Sequence, residues 1–345
     1  MPKTIKVALI TQQDGGHQPD YLGALAKIEE VEAVALVDAS GKSEELAKML
    51  LGDKLKEVYK DSAEMLKKFA PQAVLVSLEA VASPPVINQV LDAGCHAIVE
   101  KPSCVKAEDF EKLVRKAQQK HRHLIMTLAN RPHAPIREAR RLVQAGKFGK
   151  IYGTEMHLVT DQTRLTKEQY RKTWFCSKAR AGGGHVTWVA VHWIDMLLHV
   201  TGLKIKQVTG FAANVGGQPI DIEDAASMSV RFDNGGVGSM NFGYYLDKGY
   251  QSHFKIWGEH GWLQLASVEE RPLEWYSRKD VKEPKIELFQ YPKGERGYLR
   301  FMRSAVRACA ELEEPPITGE EALHVLKSIF AFYEAVKTGR TQTVE

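Results

Sequence analysis

Short apolar runs of strand length recur along the first third of the chain, at residues 5–10, 34–37, 73–76, 97–99 and 124–128. None alternates with polar positions, which suits strands buried on both faces. Between them, residues 43–50, 61–68 and 107–120 carry the 3.6-residue pattern of amphipathic helices, with Asp61 placed as a cap and Glu64 three residues on. This rhythm predicts a doubly wound parallel sheet over residues 1–128.

Beyond that point the pattern changes. A helix over 135–144 ends at Gly146, a strand follows over 152–159, and Gly182-Gly183-Gly184 opens a long helix to about residue 201. Ala226, Met228, Val230 and Phe232 share one face, Asp233-Asn234-Gly235-Gly236 makes a turn, and a strand returns over 237–245. Strands over 254–257 and 262–265 are joined by Gly258-Glu259-His260-Gly261, and a terminal helix covers 319–337. The pattern predicts a second α/β domain over 129–345 with an open, largely antiparallel sheet.

Composition narrows the partners. The 345 residues are 44% hydrophobic and 26% charged, as in a globular protein with length for two cores. Lys and Arg number 47 against 43 Asp and Glu, a net charge of +4, with no basic run, so nucleic acid is not expected as a partner. No apolar stretch approaches the ~20 residues of a membrane helix, and Met1-Pro2-Lys3 leads straight into the first strand, so a cytoplasmic location is expected. Cys95, Cys104, Cys176 and Cys309 form no C-x-x-C pair and read as reduced thiols, with no metal site among them.

The first strand runs into Thr11-Gln12-Gln13-Asp14-Gly15-Gly16-His17, where a dinucleotide fold sets its phosphate loop against a helix N-terminus. Of G-x-G-x-x-G only the third glycine stands, as Gly16, with Thr11 and Gln13 at the first two positions; a plain turn at Gly15-Gly16 is the alternative. Asp38 ends the second strand, where an acid that binds a ribose hydroxyl is expected; a helix-capping or solvated Asp is the alternative. Glu100-Lys101-Pro102 closes the fifth run, where open parallel sheets form a ligand crevice. Desolvation there lowers a lysine's pKa and lets it exchange protons near neutrality, the alternative being a surface lysine at a strand end.

In the helix after Gly184, His185, Trp188, His192, Asp195 and His199 fall in one stripe at 100° per residue. Val186, Val189, Ala190, Trp193, Ile194, Leu197 and Leu198 cover most of the remaining surface, so the helix should be buried nearly all round. Histidines seven apart lie ~10 Å apart along the axis. Zinc ligands each lie ~2 Å from one ion, so the three cannot share a metal. The stripe reads instead as a substrate cavity lined by His185, Trp188 and His192, with satisfied core histidines, His199 first among them, as the alternative.

With these residues in view, the chain resembles the glucose-fructose oxidoreductase/inositol dehydrogenase (Gfo/Idh/MocA) family over nearly its whole length. Ala93-Gly94-Cys95-His96-Ala97-Ile98-Val99-Glu100-Lys101-Pro102 is similar to the family's A-G-K-H-V-x-x-E-K-P. Gly182-Gly183-Gly184 followed by His192-x-x-Asp195 is similar to G-G-G-x-x-x-D-x-x-x-H-x-x-D, and Gly146-Lys147-Phe148-Gly149-Lys150-Ile151 to the G-x-x-G-x-I entry into the second domain.

The resemblance implies an N-terminal Rossmann domain and a C-terminal α/β domain whose open sheet builds a homodimer or homotetramer. Phe242, Tyr244 and Tyr245 are the candidate contacts. It implies hydride transfer between a nicotinamide and a carbinol carbon of a sugar, cyclitol or related polyol, or a lyase or glycosidase reaction using the same oxidised-sugar chemistry. Thr11, Gln13, Gly15, Gly16, His17, Asp38, Leu78, Glu100 and Lys101 would contact the cofactor. Asp38 favours NAD(H), with NADP(H) possible because Lys42 is near.

Lys101 would hydrogen-bond the reacting hydroxyl, His192 would take its proton, and His185 would be a second proton-handling group. Trp188, His192, Asp195 and Lys101 would bind substrate, and Lys101-Pro102 is a candidate cis peptide. Three departures stand against this: the degenerate glycine fingerprint, Leu78-Glu79-Ala80-x-x-Ser83 in place of T-P-N-x-x-H, and Trp188 in place of the catalytic Asp. They leave a non-catalytic relative, binding a ligand or a protein, as the alternative function.

Overall fold

The computed structural model describes residues 3–13, 15–246, 248–265, 272–291 and 298–345, so Asp14 of the first loop lies outside the described residues. The chain forms two units. One comprises Met1–Ala129, Ala179–Gly182 and Glu295–Leu323, and the other Asn130–Lys178, Gly183–Gly294 and His324–Glu345.

In the first unit six parallel strands lie in the order β3-β2-β1-β4-β5-β6. They are β1 Ile5–Thr11, β2 Val31–Val37, β3 Leu55–Tyr59, β4 Ala73–Ser77, β5 His96–Val99 and β6 Leu124–Met126. Between them run α1 Gln18–Lys27, α2 Glu44–Leu51, α3 Ser62–Lys68, α4 Ser83–Asp92 and α5 Ala107–Gln119. Strands β4, β5 and β6 are buried along their whole length, as their unbroken apolar runs predict. Asp61 caps α3 by accepting a hydrogen bond from the Glu64 N–H at 2.8 Å. Strand order reverses between β1 and β4, and the carboxyl ends of these two strands are where a doubly wound sheet opens its ligand crevice.

The second unit is built on a nine-stranded sheet, β14-β13-β12-β11-β7-β10-β9-β8-β15. Its strands are β7 Ile151–Asp161, β8 Ile205–Ala213, β9 Ala225–Phe232, β10 Val237–Leu246, β11 Tyr250–Gly258, β12 Gly261–Leu265, β13 Leu273–Ser277, β14 Ile286–Phe289 and β15 Gln342–Thr343. All neighbouring pairs are antiparallel except β7 with β10, which run parallel.

The helices that follow β6 are α6 Ala134–Gln144, three single turns (α7 Thr163–Thr166, α8 Glu168–Arg171, α9 Lys178–Ala181), α10 Val191–Thr201, α11 Leu299–Cys309 and α12 Gly319–Thr338. Helix α11 belongs to the first unit and packs on α1. No helix of the described residues is long and apolar enough to cross a membrane.

One face of the second sheet is core: Met228, Val230, Phe232, Met240 and Phe242 are buried, while Ser227, Ser229, Arg231, Ser239 and Asn241 between them are exposed. This corrects the expected oligomer contacts. Phe242 and Tyr244 are buried inside their own unit, at 0% and 5% exposure, and only Tyr245 is open, at 48%. The two rings lie on the core side of β10, so they are not available to a second copy.

Candidate active site

The loop after β1 is held by side chains that replace the missing glycines. Thr11 Oγ1 donates to the Ser77 carbonyl at 3.2 Å and accepts from Gln18 Nε2 at 2.6 Å, while Ser77 Oγ donates to the Gly16 carbonyl at 2.8 Å. Gly15 has no room for a side chain: a Cβ there would stand 2.4 Å from Thr11 Oγ1 and 2.7 Å from the Ser77 carbonyl. The loop therefore lies down on the end of β4 and delivers the chain to α1, whose N-cap, His17, makes no side-chain cap. Gly15 and Gly16, leading at the switch point to a helix start with no side-chain cap, fit a dinucleotide's phosphates. Gln13, exposed, accepts from Lys42 Nζ at 2.6 Å, and Leu78, at the end of β4, is half-buried.

Asp38 is buried at the end of β2 and accepts three hydrogen bonds from its own loop: Ser40 N at 2.9 Å, Ser40 Oγ at 2.7 Å and Ser43 N at 2.9 Å. Burial alone would raise its pKa. The Ser40 and Ser43 donors outweigh that and hold the carboxyl below the usual range.

At the end of β5, Glu100 is a buried junction. Its Oε2 accepts from Tyr21 Oη at 2.5 Å and pairs with His17 Nδ1 at 2.8 Å, and its Oε1 accepts from the Lys101 N–H at 2.9 Å. Burial pushes this carboxyl up, but His17, the Lys101 charge and the Tyr21 hydroxyl bring it down to about 2. Tyr298, just before α11, packs on the rings of His17 and Tyr21 at 4.7 and 5.0 Å. Lys101 is itself only 2% exposed, and Lys101-Pro102 is a cis peptide, as the resemblance implies. The amine is thus not a surface lysine.

In the second unit the helix expected from Gly184 onward begins as a π-helical turn, Val186–Ala190, and becomes α-helical only as α10. A π turn holds an extra residue, so a uniform 100° projection does not carry through it. The expected stripe divides. His185 is fully enclosed: Thr160 Oγ1 lies 3.1 Å from its Nε2, and the rings of Tyr244 and Phe242 lie 4.6 and 6.2 Å away. Burial, reinforced by the Arg164 charge, lowers its pKa to about 3, so it is a neutral core imidazole at physiological pH. Asp195, also fully buried, binds Arg131 through both its oxygens. Trp188, His192 and His199 keep part of their surface open. Trp188 stands against Phe175 at 4.3 Å and edge-on to Trp174 at 5.4 Å, in a cluster of aromatic rings.

Sequence reasoning missed Gln18, Ser77, Arg131, Thr160, Glu223 and Tyr333. Glu223 accepts from the N–H groups of Gly184 and Val186 at 2.8 and 3.0 Å and from Tyr333 Oη at 2.8 Å. The buried ends of a helix need such partners, but nothing in the periodicity says which distant residue supplies them.

Two family models match the chain. Residues 6–128 match the oxidoreductase family's NAD-binding Rossmann fold and residues 136–264 the GFO/IDH/MocA C-terminal domain. Among curated relatives, the scyllo-inositol 2-dehydrogenase (NADP(+)) IolW of Bacillus subtilis is 24% identical over 332 residues, covering 84% of this chain and 88% of its own. The first curated relatives are matched over only 44%, 41% and 53% of their length, so the chain spans about half of each.

Among solved structures, an oxidoreductase domain protein from Kribbella flavida superposes with a TM-score of 0.89 at 18% identity, over 99% of this chain and 100% of that one. The WlbA dehydrogenase from Bordetella pertussis, in complex with NADH and UDP-GlcNAcA, superposes with 0.82 at 20% identity, over 99% of each chain. The chain belongs to the Gfo/Idh/MocA oxidoreductase family, with an NAD(P)-binding Rossmann fold and the family's C-terminal domain.

Proposed function

We propose that this protein transfers hydride between a nicotinamide cofactor and a carbinol carbon of a sugar, cyclitol or related polyol. The observation that carries the reading is Lys101, an almost wholly buried amine next to an ionised carboxylate, at the carboxyl end of a parallel strand. Thr11, Gln13, Gly15, Gly16, His17, Asp38, Leu78, Glu100 and Lys101 would hold the dinucleotide, and bound there it supplies the hydride acceptor or donor. NAD(H) is the preferred form, since the Asp38 carboxylate, held ionised by Ser40 and Ser43, repels a 2′-phosphate.

The chain's own chemistry is proton and charge handling. The Lys101 ammonium donates to the substrate oxygen and stabilises negative charge that develops on it. His192, part-exposed on α10, takes the hydroxyl proton. Trp188 offers a ring face to the apolar side of a sugar in place of the family's carboxylate. Copies of the chain associate through the exposed face of the second sheet.

The test is an NAD(H)- and NADP(H)-linked screen over sugars and cyclitols, with Lys101→Ala and His192→Ala as probes. Each should lower kcat about 100-fold while NADH affinity is kept. Parental turnover in both variants overturns the mechanism. Trp188→Asp restores the family's residue, and tolerance or gain of activity shows that the proton relay still fits. If no substrate turns over and no nicotinamide binds, the non-catalytic reading, which Trp188 and the altered glycine loop favour, replaces this one.

A further inference from the structure

We infer that Glu223 and Tyr333 are positioning residues of the candidate active site, clamping the start of the helix that carries Trp188 and His192. This rests on the functional reading of His192 given above. Glu223 stands two residues before β9, and Tyr333 lies on the last turns of α12. They meet at the first turn after the triple glycine. One carboxylate oxygen of Glu223 takes the Gly184 N–H at 2.8 Å, and the other takes both the Val186 N–H at 3.0 Å and the Tyr333 hydroxyl at 2.8 Å. The Glu223 backbone carbonyl adds a third tie by accepting from His185 N at 3.3 Å. Three successive backbone N–H groups are thereby fixed by one residue.

The glycines are shaped to the same clamp. A Cβ on Gly183 would stand 2.1 Å from Tyr333 Oη, and a Cβ on Gly184 would stand 2.1 Å from the Glu223 carbonyl oxygen. Neither neighbour is a free side-chain end that can swing aside, because each is committed to the helix start. Helix termini leave their first N–H groups without intrahelical partners, and a carboxylate at that end is favoured by the helix dipole.

What makes this more than a cap is the π turn at Val186–Ala190, which lies between the clamp and His192. A π turn takes one more residue per turn than an α-helix, so it resets the rotation of the residues that follow it. Held at its start by Glu223 and continued by α10, the turn sets the direction in which Trp188 leaves the helix and the rotation at which His192 follows. Removing one donor or acceptor of the clamp lets that phase relax, and a small misplacement of a proton-transfer group is costly.

The experiment uses the full chain and two variants, Tyr333→Phe, which deletes one hydroxyl, and Glu223→Gln, which keeps the shape and replaces one acceptor oxygen by an amide NH2. The first measurement needs no substrate: the imidazole Hε1 resonance of His192 by NMR, with His324 and His260 as controls, and amide exchange at Gly184 and Val186. In both variants the His192 line should move or broaden and the two amides exchange at least about tenfold faster, while the control histidines stay.

The second measurement is steady-state kinetics with NAD+ and scyllo-inositol or D-glucose. Here kcat should fall about tenfold with KM changed less than twofold. Glu223→Asp should recover part of the loss. An unmoved His192 line together with unchanged exchange in Tyr333→Phe overturns the inference, even if Glu223→Gln fails to fold. Should neither compound turn over, the kinetics pass to whichever substrate the wider screen finds, and the His192 resonance decides the clamp in either case.

Discussion

Arg131 grips Asp195 by a fork: its Nε reaches both carboxylate oxygens, at 3.1 and 3.0 Å, and its Nη2 reaches Oδ1 at 2.6 Å. Both side chains are buried, at 5% and 0% exposure, and the pair ties the segment before α6 to the middle of α10. An ion pair taken out of water is weak evidence of net stabilisation, but leaving one partner behind is expensive. Asp195→Ala and Arg131→Ala should each cost about 3–5 kcal/mol. The double replacement Arg131→Ala with Asp195→Ala should cost much less than their sum. Urea unfolding of the three variants measures the cycle, and additive losses would rule out the coupling.

Gly184→Ala and Gly23→Ala should move stability in opposite directions. The new Cβ at 184 meets a backbone carbonyl at 2.1 Å, whereas the one at 23, within α1, meets nothing within 4 Å. We expect a loss of about 1–3 kcal/mol for the first. For the second we expect a gain of about 0.5–1 kcal/mol from reduced freedom of the unfolded chain. Denaturant midpoints at constant slope check both.

Burial holds His185 neutral with a pKa of about 3 in the folded chain, well below the ~6.5 of an unfolded histidine. The unfolded state therefore binds the proton first, so the contribution to stability is complete above pH 6.5 and is lost as pH falls toward 3. At pH 5 the loss from this one group is about 2 kcal/mol. His185→Phe should flatten the fall in Tm between pH 7.5 and pH 5 relative to the parent. An equally steep fall would show that His185 titrates freely.

Asp38→Ala removes both the acceptor for Ser40 and Ser43 and the negative charge near the expected ribose. NADH affinity should fall, and the preference over NADPH should shrink by about tenfold or more, since a carboxylate no longer repels the phosphate. Fluorescence titration with each nucleotide reads this directly. Unchanged discrimination would move the determinant to Lys42 and Gln13.

The parallel sheet was legible because β4, β5 and β6 are unbroken apolar runs, and only doubly covered strands can be so apolar. Strand β3 was missed because it is an edge: Lys56, Glu57 and Val58 are all exposed, and its run carries no core signature. The inward direction of Phe242 was available in principle, since it shares the parity of Met240 on β10. Reading it as a contact overlooked that alternation. The division of the histidine stripe was not available, because a π turn leaves no mark in residue type. Partners such as Thr160, Arg131, Glu223 and Tyr333 belong to tertiary structure, and the sheet and α12 deliver them from far along the chain.

The packing of α11 on α1 has a consequence for how the molecule is made. Tyr298 covers the rings of His17 and Tyr21, and Arg307 reaches Glu30 and Glu313, so the dinucleotide unit is finished by residues synthesised after most of the other unit. A nascent chain that has released residues 1–129 holds every strand of the parallel sheet yet leaves one side of α1 uncovered. Its last structural piece, residues 299–323, leaves the ribosome some 170 to 195 residues later, about ten to forty seconds at ordinary rates of synthesis. Over that interval the half-built unit leaves open the side of α1 and the His17 and Tyr21 rings that α11 and Tyr298 later cover. The same arithmetic means that a gene cut after residue 129 encodes a sheet without its final wall.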